Sequence, residues 1–338
     1  MTVVLPGFLD AHVHLALIDP ARLAAGGIGR VLDLGGWTPA ADELGDYASG
    51  DRPETRFAGQ FVGAPGGYPS RQAWAPAGSA CPVAAPADAA EAVHRQAEAG
   101  ASVIKVTLNS AAGPVLTADT LLAIVTAAHA RMLPVAAHTE GAGQAAAAFD
   151  AGVDLLAHTP FSERLSDALL GSMAGRTTWI STLDIHGWGE PTAAFHVASD
   201  NLSRFHAAGG RVLYGTDLGN GPLPVGLNRR EIAALVACGL SPDDVLAALT
   251  ADFPGRPGAA SVDAASGTRP DRAGTVTVVP GDRPADSDDP AGFINWLLSA
   301  HAQPAHALPA HAQPNHALPA HEQPARALPR PDLEDLRS

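Results

Sequence analysis

His12 and His14 lie one residue apart in the run Asp10-Ala11-His12-Val13-His14. On an extended strand, positions i and i+2 point to the same side. Two imidazoles on one side offer half of a tetrahedral or trigonal-bipyramidal zinc site. Alone the pair is a weak signal, because a single strand-end histidine is more often a hydrogen-bonded structural residue. Four further residues change that weight. Lys105 sits in Ile104-Lys105-Val106, His138 in Ala136-Ala137-His138-Thr139 and His158 in Leu156-Ala157-His158-Thr159, while Asp217 closes Tyr214-Gly215-Thr216-Asp217. Four histidines, a lysine and an aspartate thus stand at or within apolar, strand-like runs. Nitrogen and oxygen ligands in that number imply a metal site.

Lys105 has three readings on its own residues. A lysine inside an apolar strand is costly to bury as an ammonium. It can be a catalytic amine of lowered pKa, or a carbamate formed with carbon dioxide, which is an anionic ligand able to bridge two cations. It can also be a plain lysine whose head snorkels to solvent.

The elements that must position these residues alternate short β-branched runs with amphipathic stretches. Eight strands are expected: Thr2–Leu5 running on towards Leu9, Arg30–Leu34, Thr55–Val62, Ser102–Leu108, Leu133–His138, Asp154–His158, Thr177–Thr182 and Arg211–Thr216. Helices follow, as at Ala87–Ala99, Thr117–Arg131, Gly143–Ala151, Glu163–Ala174, Ala193–Ala208 and Gly226–Cys238. Continuous apolar strands fit a parallel sheet buried on both faces. Eight right-handed βα units predict an α/β fold, a (β/α)8 TIM barrel, over 1–252. An open doubly wound sheet is the rival, but no GxGxxG follows a strand to support it. In a barrel the catalytic groups collect at the C-terminal strand ends, where the six residues lie. The long Gly/Pro-rich loop from Gly63 to Pro86 then reads as a substrate lid carrying Tyr68, Arg71 and Trp74.

Residues 253–298 form an extension with one short strand at Ala273–Pro280 and a helix at Pro290–Ser299. From 299 to 338 the chain repeats HAQPAHALPA-like decamers with a proline every fifth residue. Such spacing excludes helix and central strand, so a disordered, partly polyproline-II tail is expected. Its His301, His306, His311, His316 and His321 suit weak metal binding at most.

The 338 residues carry 21 basic and 35 acidic groups, a net charge of −14, which speaks against a nucleic-acid partner or a polybasic membrane anchor. Two cysteines, Cys81 and Cys238, cannot build a disulfide framework for a chain this long. No apolar run reaches the ~18 residues of a transmembrane helix, and the N-terminus does not read as a signal peptide. A cytoplasmic protein acting on a small molecule is expected, with a homo-oligomer as the default assembly.

The motif series resembles that of the metal-dependent amidohydrolase superfamily. LPGFLDAHVHL looks like its opening signature, and VIKV, VAAHTEG, GVDLLAHTPF and LYGTDLGN follow in the matching order over about 1–251. The likeness is greatest to imidazolonepropionase-like and prolidase-like members, the latter including dipeptidases acting on Xaa-Pro. The resemblance implies that His12 and His14, with Asp217, hold the more buried of two divalent ions. It implies that His138 and His158 hold the second and that Lys105, as carboxylysine, bridges both. Zinc is the expected metal. A hydroxide between the ions would be the nucleophile, with Asp217 accepting and returning the proton. His186, in TLDIHGWG, is a candidate substrate contact together with Tyr68 and Arg71.

The reaction implied is hydrolysis of a C–N bond in a small amide, dipeptide or cyclic amide. A mononuclear deaminase or ring-opening hydrolase of the same superfamily is the alternative, with Glu140, two residues after His138, as its acid/base group. A non-catalytic metal-binding protein is the third reading, supported by the His/Pro tail. Family members usually carry a small β-sandwich flanking the barrel. So few residues precede LPGF that its N-terminal half is expected to be missing, and its C-terminal pattern is blurred into AGTVTVVPGDRPADSDDP. The sandwich is therefore expected to be reduced or absent.

Overall fold

The computed structural model describes residues 2–36, 52–255, 274–284 and 289–308. It contains a parallel barrel. Strands β2 (Phe8–Val13), β3 (Ile28–Asp33) and β4 (Glu54–Phe57) form one parallel group. Strands β5 (Phe61–Gly63), β7 (Ile104–Asn109), β8 (Val135–Glu140), β9 (Leu155–Leu156), β10 (Thr178–Ile180) and β11 (Arg211–Leu213) continue it, and the short β6 (Ala80–Pro82) pairs with β5 from the loop that follows. The ring closes between β2 and the segment after β11. There Ala11 N–H donates to the Tyr214 carbonyl at 2.9 Å and His14 N–H to that of Leu218 at 2.8 Å.

Two expected strands are each broken in two. The first breaks at Gly7. Residues Thr2–Pro6 form β1, which leaves the barrel and pairs antiparallel with β12 (Thr275–Pro280), and only β2 is a barrel stave. The break needs glycine, since a Cβ at position 7 would lie 2.4 Å from Thr275 Oγ1. The third breaks at Gly59, which takes a φ of +77° beside the Gln96 carboxamide. Thus β4 pairs with β3 while β5 pairs with β7.

The small sheet is reduced, not absent. Its third strand is β13 (His301–Pro304), paired with β12 and tied to the barrel by Ala302 N–H on the Ala24 carbonyl at 2.8 Å. The N-terminal half, expected to be missing, is thus represented by β1, which pairs with β12 along its whole length. The tail expected to be disordered from 299 starts with four residues in regular pairing, because β12 presents an open edge there. The remainder of the tail, 309–338, lies outside the described residues.

The helices are α1 (Ala89–Glu98), α2 (Ala118–Ala130), α3 (Gln144–Asp150), α4 (Asp167–Ala174), α5 (Ala193–Ala207), α6 (Arg229–Ala237), α7 (Pro242–Thr250) and α8 (Pro290–Leu298). Side-chain caps fix several starts: Thr117, Ser166, Thr192, Asn228 and Ser241 each accept a backbone N–H of the first turn. No helix among the described residues is long and apolar enough to cross a membrane.

Two apolar cores result. The larger lies between staves and helices and holds Trp179 stacked on Phe205 at 3.8 Å. The smaller plugs the barrel interior with Leu9, Ala11, Leu32, Val103, Ala136, Ile180 and Leu213 among others. Strand alternation then dictates what stands above the plug. Val103 is followed two residues on by Lys105 and Ala136 by His138, whereas Asp217 lies four residues beyond Leu213, past the end of β11.

Candidate metal centre

Above the apolar plug, His12 Nε2 and His14 Nε2 each lie 3.0 Å from the same oxygen, Asp217 Oδ1. Their outer nitrogens decide their tautomers. His12 Nδ1 is 2.8 Å from the Ala157 carbonyl, and His14 Nδ1 is 2.8 Å from that of Gly35. A carbonyl oxygen only accepts, so both Nδ1 atoms carry a hydrogen, and each ring in its neutral form presents a bare Nε2 lone pair. Burial holds the His12 imidazole well below its ordinary value, while at His14 the nearby Asp217 and Asp33 outweigh burial and raise it. In the neutral form two nitrogen lone pairs and a carboxylate oxygen converge with no hydrogen between them. His12 Nε2 and Asp217 Oδ1 are both buried without a hydrogen-bond partner. Buried polar atoms are almost always satisfied; a cation satisfies all three, and the donor set of imidazoles and carboxylate is the one zinc takes.

His158 joins them. Its ring lies 4.7 Å from that of His12, and His12, His158 and Asp217 bring one ligand atom each within 4.8 Å of one another. His158 Nδ1 is fixed by Thr182 Oγ1 at 2.9 Å. His138 stands edge-on to His158 at 4.9 Å, and its Nε2 is 3.3 Å from Glu140 Oε2. Asn109 Nδ2 holds the same Glu140 oxygen at 2.6 Å. Thr182 and Asp217 both adopt positive φ, +43° and +57°, strain of the kind that gathers at functional sites.

Lys105 is buried on the floor of the same cavity. Burial pushes its amine down to about 7, against the pull of Asp217 and Asp33. An amine of that pKa has a large neutral fraction at neutral pH, and the neutral amine is the form that reacts with carbon dioxide. Burial works against a charge on Asp217 too, but the surrounding imidazoles hold its carboxyl well below the usual carboxylate range.

Two aspartates without an assigned role in the motif reading build the frame. Asp10 accepts from Thr216 N–H at 3.0 Å, from Thr216 Oγ1 at 2.6 Å and from His12 N–H at 3.1 Å. Asp33 accepts from Leu15 N–H at 2.7 Å and Gly35 N–H at 2.9 Å, and Gly35 in turn orients His14. Asp10 sits in the motif itself and Asp33 ends β3, so a carboxylate at a stave end was the signal available for both.

The cavity above the ligands measures about 340 Å³. Tyr68 lines it, stacked on His138 at 4.9 Å. His186 lines it as well, packed on Phe161 at 4.2 Å, with a buried Nε2 that has no partner. Trp74 lines its outer part. Arg71 does not reach it. That side chain is exposed, with its guanidinium beside Gly66, because the turn from Gly67 to Gln72 directs it outward from the loop.

Residues 3–252 match the amidohydrolase family. No curated protein matches the chain. Among solved structures it is similar to A. niger ochratoxinase, with a TM-score of 0.65 and 20% identity over 85% of this chain and 79% of that one. It is similar to a Xaa-Pro dipeptidase with bound methionine, TM-score 0.63 and 19% identity over 87% and 84%. A prolidase of Bifidobacterium longum gives 0.62 and 21% over 86% and 78%. At these identities the likeness is one of fold.

Proposed function

The chain belongs to the amidohydrolase family, and on that premise we propose that it hydrolyses a C–N bond in a small amide, dipeptide or cyclic amide. The observation that carries the reading is the convergence of His12, His14 and Asp217 lone pairs on one buried point. In this reading His12, His14 and Asp217 would hold one divalent ion and His138 and His158 a second, with Lys105, as a carbamate, contributing an anionic ligand. Zinc suits the four imidazoles. Such ions activate a water as nucleophile and polarise the scissile carbonyl.

The chain's own groups supply the rest. Asp217 takes up a proton at its carboxylate and returns it to the leaving nitrogen. Asn220 Nδ2 donates to Asp217 Oδ2 at 2.8 Å and keeps that carboxylate in place. His186 Nε2, buried and without a protein partner, faces a hydrogen-bonding group of the substrate. Tyr68 closes the cavity over His138. A dipeptidase and a prolidase among the structural neighbours support an amide-type bond.

A mononuclear hydrolase or deaminase is the second reading. The tight His12, His158 and Asp217 group, with Glu140 beside His138, favours it. Turnover of a panel of N-acyl amino acids, dipeptides, cyclic amides and aminated heterocycles, with wild type and Asp217→Asn, separates the two. Amide turnover lost in Asp217→Asn supports the first reading; ammonia release from the heterocycles alone supports the second.

A further inference from the structure

Three of the five exposed large apolar side chains among the described residues stand at the mouth of the metal cavity. They are Leu17, Trp74 and Trp188, each about two-fifths exposed (37%, 40% and 44%). Leu17 and Trp74 line the cavity itself. Trp188 lies over Gly221, a lining residue where a Cβ would come within 2.6 Å of the indole. Singly exposed apolar residues need no explanation, but a cluster rimming a concave site does.

The apolar surface continues inward. Trp74 meets Phe61 edge-on at 6.2 Å and Tyr68 at 6.0 Å, and Tyr68 is stacked on His138. One aromatic wall therefore runs from the opening down to the ligands. The cavity, about 340 Å³, is at the small end of small-molecule sites.

Charge on the walls points the same way. Among the described lining residues Lys105 is the only lysine or arginine, and it belongs to the floor. Arg71 is exposed and outside. Arg230 is committed to Asp184 at 2.8 Å. Burial pushes the His186 imidazole down to about 4, so it offers a hydrogen bond and no charge at pH 7. The one carboxylate on the wall outside the ligand set is Glu140. Ions on the floor would be engaged by the scissile group. A second carboxylate, elsewhere on a substrate, would find no counter-cation and would share the cavity with Glu140.

We infer that the cavity selects substrates whose non-reacting part is apolar and uncharged, an aryl or branched alkyl group seated on Phe61, Tyr68 and Trp74, and disfavours those bearing a further carboxylate. The inference narrows the proposed C–N hydrolysis to amides and cyclic amides without a free carboxylate, away from dipeptides and N-acyl amino acids, and rests on it only for the nature of the reacting group.

Hydroxamates test it without turnover, because their chelating group binds zinc whichever bond the enzyme cleaves. Calorimetry on the zinc-loaded full chain compares acetohydroxamate, phenylacetohydroxamate and the monohydroxamate of succinic acid. Burial of a phenyl group predicts affinity about tenfold or more above acetohydroxamate. The succinic compound should bind no better than acetohydroxamate. Trp74→Ala and Tyr68→Leu should each remove most of the phenyl gain, whereas Leu122→Ala, remote and exposed on α2, should keep it. A succinic compound that binds as tightly as the phenyl one, or a phenyl gain of less than twofold, overturns the inference. The expected hydroxamate order without hydrolysis of any phenylacetyl amide would overturn the bond class alone and leave the inference standing.

Discussion

Asp10 and Thr216 are joined by two hydrogen bonds, from the threonine N–H at 3.0 Å and its hydroxyl at 2.6 Å, across 206 positions of sequence. The pair locks the first barrel stave to the end of the last. One residue further on is Asp217, and two residues beyond Asp10 is His12. The Asp10 carboxylate, which also accepts from His12 N–H at 3.1 Å, thus ties together the backbone segments that carry His12 and Asp217. Asp10→Ala is expected to leave Thr216 N–H and its hydroxyl unsatisfied, at a cost of about 2–4 kcal/mol, and to weaken metal retention. Chemical unfolding together with the zinc affinity of the refolded variant measures both. Unaltered zinc affinity would show that Asp10 does not position the ligands.

Glu231 gives a pH prediction remote from the metal. It is fully buried on α6 and accepts from Asp184 N–H at 2.8 Å. Burial pushes its carboxyl up to about 7 from an unfolded value of 4.5. The folded chain therefore holds a proton there that the unfolded chain releases between pH 4.5 and 7. Stability from this group is complete below pH 4.5 and is lost as pH rises through 7. Glu231→Gln should flatten the fall in unfolding free energy between pH 5 and 8 by on the order of 3 kcal/mol, at 1.36 kcal/mol per unit. Equal slopes for the two proteins would be the contrary result.

Lys105 should respond to carbon dioxide. Reconstitution with zinc in bicarbonate is expected to exceed reconstitution in degassed buffer in activity. With 13C-bicarbonate, NMR should show a carbamate resonance that Lys105→Ala lacks. A wild-type spectrum without that resonance at full zinc occupancy would assign Lys105 to another role.

Packing in the outer core has its own test. Trp179 lies fully buried and face to face with Phe205, 3° from parallel. Trp179→Ala should cost about 3–5 kcal/mol by loss of area and formation of a cavity. Denaturant melts at constant slope provide the value, and a loss below 1 kcal/mol would mean that the helix layer collapses to fill the space.

The barrel was legible because alternation within a stave is a local property. Val103 and Lys105, or Ala136 and His138, share a side by geometry alone, so a polar residue two beyond a plug residue is readable from the chain. Lys105 and His138 could be read as candidate site residues for the same reason. The small sheet was not, because β1 pairs with β12 some 270 residues away and the Gly7 break is imposed by Thr275. Strand β13 ends in a proline that argues against pairing, yet the open edge of β12 prevails over it. Tyr68 and Arg71 illustrate the limit within a loop. They are three residues apart, and only the loop's turn puts one on His138 and the other outside. The Asp10–Thr216 contact needed the closed barrel to be visible at all.

Elemental mass spectrometry of the full chain, beside a His12→Ala/His138→Ala double variant of unchanged circular dichroism, tests the central claim most directly. Both proteins carry the same tail histidines, so their difference counts ions at the barrel site alone. The account predicts that wild type retains about two more ions per chain than the variant, as a binuclear centre requires. Equal metal content in the two would contradict it.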